Sequence, residues 1–144
     1  MRFLATLPLL FLSACLPMSA PFHIYPVEQP GRVSAIPCRF KLHFGWQHAT
    51  LSASLPDGET YAATVDTRMP PPADQEMAQL WDRVFGAGYF TAKVLGSPKY
   101  FRADLKNPAG DSLKMEVHTI PGDNQGAVEG VAVASNGRLF EVGM

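Results

Sequence analysis

Ser112-Leu113-Lys114-Met115-Glu116-Val117-His118-Thr119-Ile120 is the stretch that decides the fold class. Leu113, Met115 and Val117 occupy every second position, and Lys114, Glu116 and His118 lie between them. Successive side chains of a strand point to opposite faces, so one set belongs to a core and the other to water. On its C-terminal side, Val128–Ala134 and Arg138–Val142 flank Ser135-Asn136-Gly137. Asn-Gly accepts the positive φ of a tight hairpin, so these two segments read as a closing hairpin. On its N-terminal side, Lys99–Lys106 ends at Asn107-Pro108-Ala109-Gly110, and Tyr89–Leu95 reads as another strand stopped by Gly96-Ser97-Pro98.

The same period continues toward the N-terminus. Phe40, Leu42 and Phe44 alternate with Lys41 and His43, and Leu51, Ala53 and Leu55 alternate with Ser52 and Ser54. Pro56-Asp57-Gly58 is a turn, after which Glu59–Thr67 returns with Tyr61, Ala63 and Val65 on one face. Phe22–Val27 reads as a first extended segment, Gln29-Pro30-Gly31 as a turn, and Arg32–Ile36 as a short strand ended by Pro37.

Between these runs lies one helical pattern. Arg68-Met69-Pro70-Pro71-Pro72 stops the sheet. Over Ala73–Phe85, the residues Met77, Leu80, Trp81, Val84 and Phe85 then fall on one helical stripe. Asp74 and Glu76 lie in the first turn, where the helix dipole favours negative charge, and Gly86 and Gly88 suit its end. The stripe is expected to cover the sheet. The fold class is therefore α+β, mainly β: an antiparallel sheet or half-open barrel of about seven or eight strands with one amphipathic helix.

Composition bounds the function. The chain has 144 residues, enough for one domain. Its 13 Pro and 12 Gly agree with many turns. Its formal net charge of -1 argues against wrapping nucleic acid, which calls for a basic excess.

The N-terminal segment, MRFLATLPLLFLSA over residues 1–14, has a charged start at Arg2 and an apolar run too short to span a bilayer. It reads as a signal peptide. Leu12-Ser13-Ala14-Cys15 resembles the lipobox of bacterial lipoproteins. That resemblance implies cleavage before Cys15, lipidation of Cys15, and a stable membrane anchor through several acyl chains. Leu16 follows, and in the sorting rule the resemblance implies, a residue other than Asp there favours the outer membrane. The alternative is plain secretion to the periplasm, with cleavage after Ala20 in Met18-Ser19-Ala20. On the first reading, residues 1–14 are the signal, residues 15–21 the lipidated Cys and a tether, and residues 22–144 a single β-rich domain. Cys38 would then lack a disulfide partner and is expected to be a small buried hydrophobe.

Three further stretches resemble a family of small proteobacterial lipoproteins. They are Leu55-Pro56-Asp57-Gly58-Glu59, the run from Leu80 to Tyr89 (LWDRVFGAGY), and the run from Gly130 to Val142 (GVAVASNGRLFEV). The resemblance spans most of residues 26–142. It implies a β-rich envelope protein, and none of its motifs is a catalytic signature.

No residue pattern points to an enzyme or a cofactor. His23, His43, His48 and His118 lack the short helical spacings of a zinc site and are expected to face solvent from strands. Glu59, Asp66, Asp82, Asp104 and Glu116 show no spacing that selects an acid–base pair, and surface duty is expected of them. Gly-x-Ser-x-Gly is absent, and Gly86-Ala87-Gly88 follows a helix where a phosphate cradle would precede one.

Three functions remain to weigh. The first is a lipid-anchored module facing the periplasm that recruits an envelope protein through a strand edge, with Trp46 beside Gly45 as a contact. The second is a carrier or chaperone for an apolar ligand, which requires a cavity between helix and sheet lined by Met77, Trp81, Phe85 and Phe101. The third is a hydrolase of envelope polymers, which requires two carboxylates or a His–nucleophile pair in one cleft.

Overall fold

The computed structural model describes residues 18–27, 36–42, 48–55, 58–66, 72–97, 100–120, 122 and 127–143. The signal segment, Cys15, the turn at residues 29–31 and Trp46 lie outside the described residues. The strands are β1 (Met18–Pro26), β2 (Ile36–Leu42), β3 (His48–Ser54), β4 (Thr60–Asp66), β5 (Tyr100–Lys106), β6 (Ser112–Thr119), β7 (Val128–Ala134) and β8 (Leu139–Gly143). Between β4 and β5 lie the helix α1 (Gln75–Phe85) and a one-turn π-helix, Phe90–Val94. The strands form a closed antiparallel barrel in sequence order. The mainly β fold with one helix is thus the expected one, and the sheet closes fully instead of stopping at a half-barrel.

Closure comes from the pairing of β8 with β1, from His23↔Gly143 to Pro26↔Phe140. Pairing followed around the barrel from Met18, across the single bridge between β4 and β5, returns to β1 at Pro26. That stagger is the shear a closed barrel of tilted strands requires.

Alternation works as predicted inside. Phe22, Ile24, Cys38, Leu51, Ala53, Leu105, Leu113, Met115, Val117, Ala132 and Val142 all belong to one buried interior core. Gly130 faces this core opposite Val117. A Cβ there would stand 2.3 Å from the Glu116 carbonyl oxygen and 2.5 Å from Val117 Cγ1, so only glycine fits.

Three local expectations need correction. Pro37 does not end a strand but lies within β2, and Met18–Pro21 is not a tether but the first half of β1, paired with Arg39–Leu42. Proline removes a ladder donor, and these prolines are tolerated because their strands have one neighbour there. β8 reaches β1 only from His23 on, and β3 reaches β2 only from Cys38 on. The third correction is Tyr89–Leu95, which is helical. Phe90 and Val94 are both buried, and the Leu95 N–H donates to the Phe90 carbonyl at 2.8 Å. An apolar pair four apart fits a strand and a helical turn equally, so a short run leaves the choice to its surroundings. Here the Asp82 side chain decides, since its Oδ1 accepts the Phe90 N–H at 2.9 Å.

Candidate functional site

The helix lies on the outer wall of the barrel, over β5, β6 and β7. Asp74 caps it through Oδ1, which accepts from the N–H of Glu76 at 2.9 Å and of Met77 at 3.4 Å. Gly86 ends it at φ +110, a value that disfavours any residue with a Cβ. Met77 and Trp81 are fully buried against Val131 of β7, Tyr100 of β5 and the π-turn residues Phe90 and Val94. The apolar stripe therefore covers the sheet, as expected.

Beneath that stripe lies a polar cluster. Register places Tyr100, His118 and Glu129 in one row across β5–β6–β7, and Arg102, Glu116 and Val131 in another. All point outward, away from the barrel core, and the helix closes over them. Glu116 is 0% exposed and His118 1%. This corrects the expectation that both face solvent, because the outward face of β6 is the face the helix covers.

Each oxygen of the Glu116 carboxylate has a donor. Trp81 Nε1 donates to Oε2 at 2.9 Å, and Arg102 donates to Oε1 from Nε at 2.7 Å and Nη2 at 2.6 Å. Such paired, charge-assisted bonds are what a buried carboxylate needs. Burial opposes the charge on Arg102, but Glu116 outweighs it and the guanidinium pKa is raised. Arg102 also reaches the Pro72 carbonyl at 3.2 Å and Asp74 Oδ2 at 3.7 Å, so it ties the helix entry to the barrel. Burial tends to raise the Asp74 pKa, but the Met77 and Glu76 N–H groups, with Arg102 and Lys114, bring it below the usual carboxylate value.

In the neighbouring row, His118 Nε2 lies 2.7 Å from Glu129 Oε1, and the Tyr89 hydroxyl donates to the same oxygen. Burial first, then Glu129, pushes the Tyr89 pKa up to about 12. Among the described residues, the buried His118 Nδ1 has no hydrogen-bond partner. The Trp81, Phe85 and Tyr89 rings stack, with centroids 5.4 Å apart for Trp81–Phe85 and 4.9 Å for Phe85–Tyr89, and His118 meets Trp81 edge-on at 5.4 Å.

The sequence-predicted residues divide accordingly. Met77, Trp81 and Phe85 come together under the helix, whereas Phe101 points inward and packs on the barrel interior. The sheet separates Phe101 from the other three, so they line no common cavity. Cys15 and Trp46 lie outside the described residues. Cys38 is buried, as expected, and burial pushes its thiol up to about 12. Among the described residues, no three His, Cys, Asp or Glu side chains converge to hold a metal ion. Arg102, Tyr89 and Glu129 were missed by sequence reasoning. The available signal was that Glu116 and His118 alternate outward on a strand the helical stripe had to cover.

Chemically, the cluster is a clamp beneath a helix, in which Trp81 and Arg102 hold Glu116, and His118 and Tyr89 hold Glu129. The open feature near it is a groove of about 400 Å³ between the helix and the π-turn, bordered by Asp74, Ala78, Asp82, Phe90, Thr91 and Leu95. The seam between β4 and β5 is different in kind. These strands share one register pair, Ala62↔Lys106, whereas β3–β4 and β5–β6 are paired along their length. No helix among the described residues is long and apolar enough to cross a membrane. No family model, curated protein or solved structure matches the chain.

Proposed function

We propose that the protein is a lipid-anchored envelope module, held through Cys15 and facing the periplasm, that binds an extended segment of a partner protein. The location rests on the lipobox, and the strand pattern supports it. Cleavage before Cys15 leaves β1 whole, whereas cleavage after Ala20 would remove Met18–Ala20, which pair with Phe40–Leu42. The observation that carries the binding function is the β4–β5 seam. Among the described residues β4 and β5 stay adjacent but share the single register pair Ala62↔Lys106, so this is the junction that opens most readily to an extended peptide adding by main-chain hydrogen bonds.

The carrier reading loses the site it required, because Phe101 lies inside the barrel and Met77, Trp81 and Phe85 lie outside it. For the hydrolase reading, the buried Glu116 and His118 are engaged with Arg102, Trp81 and Glu129 under the helix.

The test uses a photo-crosslinking residue at Thr64 in the native envelope, with and without a disulfide staple across the seam at Ala62→Cys and Lys106→Cys. Crosslinking to a discrete partner that the staple abolishes and reductant restores is the expected result. Crosslinking that is indifferent to the staple would sink strand addition at the seam.

A further inference from the structure

The groove between α1 and the π-turn holds an acceptor that the fold leaves unused. Asp74, Ala78 and Asp82 border it at steps of four along one face of the helix, and Phe90, Thr91 and Leu95 border it from the turn. Asp74 and Asp82 therefore stand about 12 Å apart along the helix axis. Ala78 lies midway, and its small side chain leaves the hollow between them. Backbone N–H groups hold both carboxylates in place. Asp74 Oδ1 caps α1, and Asp82 Oδ1 accepts the Phe90 N–H at 2.9 Å.

The charge is uncompensated at one end only. Asp74 Oδ2 faces Arg102 at 3.7 Å. Asp82 Oδ2 has no hydrogen-bond or ion-pair partner among the described residues. Arg83 and Lys93 belong to the same two elements, but neither borders the groove. Leu95 on the rim is 55% exposed, more than any other large apolar side chain among the described residues. Gln75 and Gln79 edge the helix side, and their amides can both donate to and accept from a peptide main chain. These features together fit a cation, an apolar neighbour and a backbone between them. A length of about 12 Å takes three or four residues of extended chain.

We propose that this groove docks a short segment of a partner protein in which an arginine or lysine stands next to an apolar residue. The cation pairs with Asp82 Oδ2, an acceptor already fixed before binding. The apolar side chain covers Leu95 and fills the hollow over Ala78. The site needs neither a lipid on Cys15 nor an opening of the β4–β5 seam, so it stands or falls separately from the function proposed above.

The experiment follows the amide resonances of the intact, isotope-labelled mature protein during titration with acetyl-Gly-Leu-Arg-Leu-Gly-amide. Two control peptides carry Glu in place of Arg, or Ser in place of both Leu. Saturable shifts at Ala78, Asp82, Phe90, Thr91 and Leu95 are expected, with each control binding roughly tenfold more weakly or less. Asp82→Asn keeps an acceptor for the Phe90 N–H and removes the charge, so it should weaken the Arg peptide roughly tenfold. Melting curves check that it folds, and Ala78→Met, which fills the hollow without touching that bond, should also abolish the shifts. Absence of saturable shifts overturns the proposal. So does binding that ignores the Arg, the Leu or the charge at residue 82. Shifts of the same amides on raising the protein concentration without peptide assign the groove to a second copy of the chain, and also overturn it.

Discussion

Glu116 is the residue on which helix and barrel meet. It is fully buried, and it holds Trp81 from the helix and Arg102 from β5. Removing one member of a buried, hydrogen-bonded charge cluster leaves the others desolvated and unpaired, which costs about 3–5 kcal/mol. Glu116→Ala should lose stability on that scale in urea unfolding, and Glu116→Gln, which keeps an acceptor for Trp81 Nε1, should lose less. Equal stability of wild type and Glu116→Ala would mean the cluster contributes nothing. The residues of this clamp were only partly legible. The outward alternation of Glu116 and His118 was plain, and so was the apolar stripe holding Trp81. That the two meet depends on which strands lie under the helix, and that register is set by tertiary pairing, which no local pattern of residues specifies.

The helix is the element whose ends were most legible. Asp74 before a periodic apolar run and Gly86 after it are local signals with local causes. Asp74 serves twice, as a cap through the Glu76 and Met77 N–H groups and as a charge beside Arg102. Asp74→Ala should cost about 1 kcal/mol, the usual value of a helix N-cap. Asp74→Asn, which still caps, should cost less. The lowered pKa of Asp74 sets the sign with pH. Its stabilisation is complete above the unfolded value of 3.8 and is lost as pH falls through the lower folded value. Unfolding midpoints from pH 5 downward should therefore fall less steeply in Asp74→Asn than in wild type, and parallel curves would contradict this role. The π-turn was less legible, because Phe90 and Val94 fit period two as well as a helical turn.

For the whole molecule, alternation made the antiparallel β class and the approximate strand number legible, while closure was not. Closure depends on β1 meeting β8, the most distant pairing in the chain, and on Met18–Pro21 joining β1 although their position suggested a tether. The barrel interior and the helix cover each hold a group that predicts an alkaline limit. Burial raises the Cys38 thiol from 9.0 to about 12, and burial with Glu129 raises the Tyr89 hydroxyl from 10.0 to about 12. Both groups bind their proton more tightly when folded, so their stabilisation is complete below the unfolded values and declines as pH rises from about 9 toward 12. Cys38→Ala should flatten that decline in denaturant midpoints measured across this window, and an unchanged slope would place the thiol in a less buried setting. The central claim is that this barrel is held at a membrane by Cys15. Intact-mass spectrometry of the protein purified from its native membrane fraction, beside a Cys15→Ala control, tests it directly. The expected result is a chain beginning at Cys15 with added acyl mass, absent from the control. An unmodified chain beginning at Pro21 would contradict the claim, and would leave a secreted barrel whose first strand lacks Met18–Ala20.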